Sequence, residues 1–213
     1  PSLRKAKIKD QLATIIDRDL RLIYETKVPF IQIIDYLRLL AINEGQPLNY
    51  SKFQRSCGLR EEVQKNLLYA LEAVFVLRQI PIEGRRSQPL IYFEDQAEMA
   101  YLSDSSFSQS QKMEGLIYRN VRAQFSYSLG QNIRYFQYLT RGKARIPFAV
   151  QSQDGSFGML PIEGEQPNKS EKAMAASFLK TYADSMIAFI SPTIKATAVV
   201  DNRSFVGPLE LFV

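Results

Sequence analysis

One stretch decides the fold of this chain: residues 47–95, PLNYSKFQRSCGLREEVQKNLLYALEAVFVLRQIPIEGRRSQPLIYFED. Asn49 or Ser51 can cap a short helix, because a side-chain oxygen at that position accepts from first-turn amides. Gly58 suits the turn that follows this helix. Beyond the glycine, apolar residues recur at helical spacing and predict a second helix over residues 60–75. They are Val63, Leu67, Ala70, Leu71 and Val74.

The same stretch ends in two β-rich runs, VLRQIPI and PLIYFED, which are joined by a polar, glycine-containing segment over residues 83–88. Such a pair of runs predicts a β-hairpin. Helix, turn, helix and hairpin is the element order of a winged helix. Amphipathic helical patterns also precede it, to about Thr26 and from Pro29 onward. We therefore predict an N-terminal helical winged-helix domain over residues 1–102.

A Ser-rich stretch over residues 103–112 predicts a linker. Behind it, a helical pattern is followed by three short β-rich runs, IRYFQYLT, RIPFAVQS and FGMLPIE, then by a helix over residues 171–182 and two more runs, MIAFIS and TAVVD. This order predicts an α/β domain with a small mixed central sheet over residues 113–213. It is also the order of the restriction-endonuclease-like core. The predicted class of the whole chain is α+β.

Composition excludes several functions. The 213 residues are 46% apolar and 23% charged, which is typical of a globular protein, and no apolar run is long enough to span a bilayer. We therefore expect a cytoplasmic protein with no membrane partner. The absence of histidine excludes His-dependent catalysis, and the single Cys57 excludes an internal disulfide. The net charge of +5 is modest, and solubility explains it as well as nucleic-acid binding does.

No phosphate-binding loop occurs, since the ten glycines match neither GxxxxGK[ST] nor GxGxxG. We therefore expect no nucleotide and no other cofactor in this chain. Because the chain starts at Pro1 without a methionine, we expect it to be a fragment of a longer protein.

The order of several motifs resembles the C-terminal module of bacterial and archaeal AAA-like P-loop ATPases. These motifs are IIDRDLRLIY with its Arg18-Asp19 pair, the turn over residues 45–49, YALEAVFVLRQIPI, QPLIYFED and EGLIYRNV. In that family an ATPase domain comes first, a winged helix follows, and a restriction-endonuclease-like domain of unknown function comes last. The resemblance implies that the partner is an N-terminal ATPase domain of the same chain. ATP and Mg²⁺ would belong to that domain.

The chain departs from the family at the nuclease site. The resemblance implies an acid on the helix, an acid on the second strand and an acid-x-Lys on the third, because carboxylates hold Mg²⁺. Here Arg119 and Pro147 replace the first two acids, and Glu165 replaces the Lys; only Glu163 remains. We therefore expect no catalytic residues and no metal. Arg119 and Arg145 would repel a divalent ion and could pair with Glu163 and Glu165 instead.

Arg18, Asp19 and Arg21 are candidates to face the ATPase, because an arginine fork matches phosphate. The alternative for Arg18 is a surface ion pair with Asp35 or Glu25.

Arg60, Arg85 and Arg86 are the candidate nucleic-acid contacts of a winged helix. However, Glu61 and Glu62 follow Arg60 directly and would repel phosphates. We therefore favour protein contact over sequence recognition for this domain.

The leading hypothesis is a non-catalytic C-terminal recognition or assembly module of an AAA-like ATPase, with a decayed nuclease-like domain. The first alternative is a nucleic-acid-binding protein that uses the hairpin and the more basic second half. The second alternative is a residual metal-dependent nuclease.

Overall fold

The computed structural model describes residues 2–83, 85–103, 109–126, 133–140, 142, 144–153 and 155–209. The chain divides into two compact units. The first comprises residues 1–79 and 88–107, and the second comprises residues 80–87 and 108–213. Helices and strands are both present, which confirms the predicted α+β class. None of the described helices is long and apolar enough to cross a bilayer.

The helices of the first unit are α1 (Ser2–Thr14), α2 (Arg21–Ile23), α3 (Phe30–Ile42), α4 (Tyr50–Cys57), α5 (Glu61–Ala73) and α6 (Gln96–Ser103). A π-helical turn, Ile15–Leu20, separates α1 from α2. The helix predicted as continuous to about Thr26 therefore changes its hydrogen-bonding pattern and ends at Ile23. The core of this unit contains Leu12, Ile16, Leu20, Ile33, Tyr36, Leu37, Phe53, Leu67, Leu71 and Phe93.

The capping residue and the glycine predicted from the sequence define the two ends of α4, before the turn to α5. The Asn49 side chain accepts a hydrogen bond from the Lys52 amide at 2.9 Å, so Asn49 rather than Ser51 caps α4. Gly58 ends the helix in the left-handed conformation, with φ +74°. From α5, the side-chain Nε2 of Gln64 donates to the carbonyls of Tyr50 and Leu59 at 3.1 and 2.7 Å, which ties α5 to the residues before it.

The hairpin that follows α5 consists of β1 (Leu77–Ile82) and β2 (Arg85–Phe93). Residues 44–48 run antiparallel beside β2. Pro47 forms a bridge with Leu90, and the Gly45 amide donates to the Ile91 carbonyl at 3.0 Å. The buried carboxylate of Glu44 accepts from the Phe93 amide at 2.8 Å. The segment between α3 and α4 therefore supplies hydrogen bonds to β2 within this unit.

The second unit contains α7 (Gln109–Ser126), β3 (Arg134–Leu139), β4 (Arg145–Ser152), β5 (Gly155–Pro161), α8 (Lys169–Thr181), β6 (Ser185–Ser191), β7 (Ala198–Asp201) and β8 (Ser204–Pro208). Among the described residues, the sheet has the order β2-β1-β3-β4-β5-β6-β8-β7. Strand β1 of the hairpin pairs with β3 in parallel at its last residue, where Ile82 lies opposite Gln137. Strands β3, β4 and β5 form an antiparallel meander.

Beyond the meander, β6 is parallel to β5, and β8 is parallel to β6. The sequence patterns predicted the meander, α8, β6 and β7, but they predicted no strand at β8. In the structure, β8 lies inside the sheet between β6 and β7. Val206 is fully buried there. It packs in a core with Phe136, Phe178, Ile187 and Phe189.

The predicted linker, residues 103–112, is helical where the structure describes it. Ser103 belongs to α6 and Gln109 begins α7, whereas residues 104–108 lie outside the described residues. The hairpin tip, residues 80–87, belongs to the second unit rather than to the first. The domains over residues 1–102 and 113–213 remain predictions.

Candidate functional site

The candidate site lies at the edge of the sheet where β4 begins and β5 ends. Arg145 is the first residue of β4, and Glu163 follows the last residue of β5 by two positions. On the side where β4 begins, the described β4–β5 pairing ends with Phe148 opposite Met159. Parallel strands β5, β6 and β8 all end at this edge. In open α/β sheets, ligands bind outside the carboxyl ends of the strands.

Pro147 interrupts the ladder at this edge. Phe136 pairs with Ala149 and Tyr138 with Ile146, so Pro147 and Phe148 together stand opposite the single residue Gln137. This is a two-against-one bulge in β4. Proline has no backbone N–H to donate to a ladder, so a bulge accommodates it. The missing donor of Pro147 thus accounts for the interruption of the β3–β4 pairing.

Arg145 forms an ion pair that the sequence did not indicate. Its guanidinium donates to both carboxylate oxygens of Glu114 on α7, at 2.7 and 2.8 Å. With the Gln137 amide oriented to satisfy its hydrogen bonds, the Gln137 side-chain oxygen also accepts from Arg145 Nε at 3.0 Å. Glu114 is 10% and Arg145 31% exposed at the side chain, so the pair is largely buried. One feature of the sequence does indicate that Glu114 is buried. It lies three residues before the buried Ile117 and therefore on the apolar face of α7.

The remaining members of the predicted nuclease remnant lie apart from this pair. Arg145 contacts Glu114 rather than the expected Glu163 or Glu165, and both of those glutamates are exposed. Arg119 is half-buried on α7. Glu163 lines a cleft of about 460 Å³, together with Met113, Pro161, Ile162, Gly164, Gln166, Asn168 and Glu171. Within the part of the chain that the structure describes, no three His, Cys, Asp or Glu side chains form a group that could hold a metal ion.

The predicted ATPase-facing residues lie on the π-helical turn and directly after it. Arg18 pairs with its neighbour Asp19, with Nε 2.7 Å from Oδ1, and its side chain is 71% exposed. The hydrogen bond from Arg18 lowers the pKa of the Asp19 carboxyl. Arg18 thus forms a surface ion pair, but its partner is Asp19 rather than Asp35 or Glu25. Arg21 lies 3.8 Å from Asp17 and donates to the carbonyl of Thr26 at 3.0 Å.

Exposed apolar residues follow this turn, on α2 and at the start of α3. Leu22 is 80% and Ile23 50% exposed, and Ile31 at the start of α3 is 61% exposed. π-Helical turns are rare and occur frequently at functional sites. The segment therefore combines exposed apolar side chains with an arginine whose guanidinium is paired with Asp19.

The predicted nucleic-acid contacts are described only in part. Arg60 is the exposed residue that precedes α5, and its side chain makes no capping hydrogen bond. Glu61, the first residue of α5, pairs with Lys65 at 2.6 Å. Arg85 and Arg86 belong to β2, but their side chains lie outside the described residues.

Three comparisons with known proteins were made, and one of them gave a match. A family model whose description is "Domain of unknown function (DUF8612)" matches residues 2–110, slightly more than half of the chain. The chain therefore belongs to this family. No similar curated protein and no similar solved structure was found.

Proposed function

We propose that this chain is a non-catalytic recognition and assembly module at the C-terminus of an AAA-like ATPase, acting in the cytoplasm. In this proposal the first unit supplies a winged helix. The element order supports it: α3, the bridge at Pro47, α4, α5, β1 and β2 follow one another as helix, isolated bridge, helix, helix and hairpin. Pairing of Pro47 with Leu90 on the second strand of the hairpin is consistent with such a domain.

The second unit would then be a decayed restriction-endonuclease-like domain. The order α7, β3-β4-β5 meander, α8 and β6 supports this, since β6 is parallel to β5 and adjacent to it. This is the helix, three strands, helix, strand order that the resemblance implies.

The proposal that the second unit is not catalytic rests on the ion pair between Arg145 and Glu114. A carboxylate held by two guanidinium hydrogen bonds cannot also serve a divalent cation without losing its partner. The Pro147 bulge adds to this, because no carboxylate stands on β4 at that position. The edge of the sheet is thus better suited to hold the fold together than to bind metal.

Association with an ATPase domain is supported by the turn around Arg18. To test it, Arg18→Ala is introduced into the natural protein, and ATP hydrolysis and the melting temperature are measured. We expect altered hydrolysis with unchanged melting, and Lys52→Ala on the exposed face of α4 is the control. A natural protein without a P-loop ATPase domain would overturn the proposal, and so would tight nucleotide binding by this chain alone.

Nucleic-acid binding is the second candidate. The exposed Arg60 at the start of α5 favours it, since arginines at this position of a winged helix contact DNA. Acidic Glu61 and Glu62 in the first turn oppose it.

A further inference from the structure

A polar cleft lies in the second unit, where β4 ends and β5 and β6 begin. This is the opposite end of β5 from Glu163 and the nuclease remnant. The cleft has a volume of about 420 Å³, which is in the range of small-molecule pockets. We call it the amino-end cleft, and its lining includes Gln151, Ser152, Gln153, Ser156, Tyr182 and Asp184. Most such pockets are lined by hydrophobic side chains, so this polar lining indicates a polar ligand.

A row of polar residues crosses the sheet at this cleft. The strand registers align one residue from each of β3, β4, β5 and β6 in this row: Arg134, Gln151, Ser156 and Ser185. Two positions further along each of β3, β4 and β6, the same face is apolar and belongs to the core that α8 covers: Phe136, Ala149 and Ile187. This face of the sheet therefore changes from apolar to polar at the end of α8.

Hydrogen bonds fix the backbone of the segment between α8 and β6, which forms one wall of the amino-end cleft. The carbonyls of Tyr182, Ala183 and Asp184 each accept a hydrogen bond. Their donors come from three different places in the chain: Ser185 Oγ, Arg203 Nη1 and the Ser156 amide. Because this wall is fixed before a ligand arrives, binding requires little further ordering of the backbone.

Gly155, the first residue of β5, lets this wall approach the sheet. Its φ is +133°, a conformation that other residues rarely adopt. A Cβ at this position would collide with the carbonyl oxygen of Asp184. The shape of the cleft therefore depends on a glycine at position 155.

Tyr182 places an aromatic ring beside these polar groups. The centroid of this ring lies 4.8 Å from that of Phe178 and 5.6 Å from that of Phe136, so the core holds the ring in place. Tyr182 is half-buried, which leaves part of its ring for a ligand. An aromatic ring of this kind can cover an apolar surface while its neighbours form hydrogen bonds.

The side chains of the cleft match a neutral ligand rich in hydroxyl groups. A hydroxyl both donates and accepts, as do the amides of Gln151 and Gln153, and the carboxylate of Asp184 can accept from two hydroxyls. Among the described residues that line the cleft there is no Lys or Arg, so a phosphate or carboxylate ligand would lack a charged partner. Arg134, beside Gln151 in the polar row, is already paired with Glu83 at 2.7 Å.

We propose that the amino-end cleft binds a neutral sugar. Asp184 and Gln153 bind its hydroxyl groups, and the ring of Tyr182 covers the apolar face that the C–H groups of a sugar ring form. Because the cleft is open to solvent, the affinity for a single sugar ring is millimolar. This inference goes beyond the proposed function and does not rest on it.

The test is NMR titration of the chain with D-glucose, D-galactose, D-mannose and N-acetyl-D-glucosamine, with the side-chain amide signals of Gln151 and Gln153 as the readout. We expect saturable shifts of these signals with at least one of the four sugars. Asp184→Ala and Gln153→Ala should each weaken that binding by about fivefold to tenfold. Both side chains are exposed, so the melting temperature of each variant should match that of the parent.

Glu163→Ala and Gln166→Ala are the matched controls, because they remove a carboxylate and an amide from the cleft at the other end of β5. Both controls should bind the sugar as the parent does. The proposal fails if none of the four sugars binds at tens of millimolar, or if Asp184→Ala and Gln153→Ala bind as the parent does. It also fails if adenosine or spermidine binds more tightly than every sugar and Asp184→Ala abolishes that binding, because the cleft would then take a base or an amine.

Discussion

The guanidinium of Arg145 binds the carboxylate of Glu114 through two parallel hydrogen bonds, and it thereby joins the start of β4 to α7. Both groups are largely removed from water. A charge in such a place is tolerated only with its partner, since loss of either leaves the other buried and uncompensated.

Removing one partner should therefore destabilise the protein more than removing both. We expect Glu114→Gln or Arg145→Met to lower the free energy of unfolding by about 3 kcal/mol each. The double variant should lose less than the sum of the two. Urea unfolding of the four proteins measures this cycle. Arg18→Met is the control, because the Arg18–Asp19 pair is exposed, and little change is expected there. Additive losses would contradict a coupled pair.

The candidate nuclease site should be inert with Mg²⁺ or Mn²⁺. The expected reason is charge, because Arg145 holds Glu114 and Pro147 replaces an acid on β4. The measurement is cleavage of single- and double-stranded DNA by the parent and by a variant with Arg119→Glu, Pro147→Asp and Glu165→Lys. Metal-dependent cleavage by the parent, abolished by Glu163→Ala, would show that the site is active.

Stability should fall as pH rises from about 4.5 to about 7 because of Glu98 on α6. This carboxyl is 4% exposed and accepts from Gln11 Nε2 on α1 at 3.0 Å. Burial, with a smaller effect of the Asp95 charge, raises its pKa from 4.5 to about 7. The folded state thus binds the proton more tightly than the unfolded state. Its contribution to stability is fully present below pH 4.5 and is lost as pH rises through about 7.

Glu98→Gln tests this dependence. The free energy of unfolding of the variant minus that of the parent should be larger at pH 8 than at pH 4. The expected increase is on the order of 2 kcal/mol. The measurement is the free energy of unfolding of both proteins across this pH range. Glu62→Gln on the exposed surface of α5 is the control. Parallel pH profiles for the parent and Glu98→Gln would contradict the raised pKa.

If the hairpin binds duplex DNA, its arginines should do so without regard to sequence. Arg85→Ala combined with Arg86→Ala should then weaken binding to all sequences alike and reduce the salt dependence by about one to two counterions. The measurement is binding by fluorescence anisotropy over a range of salt concentrations. Equal affinity of parent and variant would remove the hairpin from any DNA interface.

Local rules were enough to predict many elements. The cap at Asn49 and the left-handed Gly58 were read from neighbouring residues, since capping depends on side chains within one helical turn. The order of the meander, α8 and β6 followed from alternating patterns and turn residues. The bulge at Pro147 followed from a missing donor on the residue itself. In each case the cause and the effect are close together in the chain.

Only the tertiary structure decided which distant groups meet. Arg145 and Glu114 are 31 positions apart, and their contact depends on how α7 lies against the meander. Strand β8 was missed because its place between β6 and β7 comes from the sheet order, not from its own residues. Phe75, which follows α5, has the left-handed conformation with φ +59°, and this was unexpected because helix closure by a non-glycine residue overrides local preference. Pattern and propensity act over a few residues, whereas pairing of buried charges and insertion of strands require the packed chain.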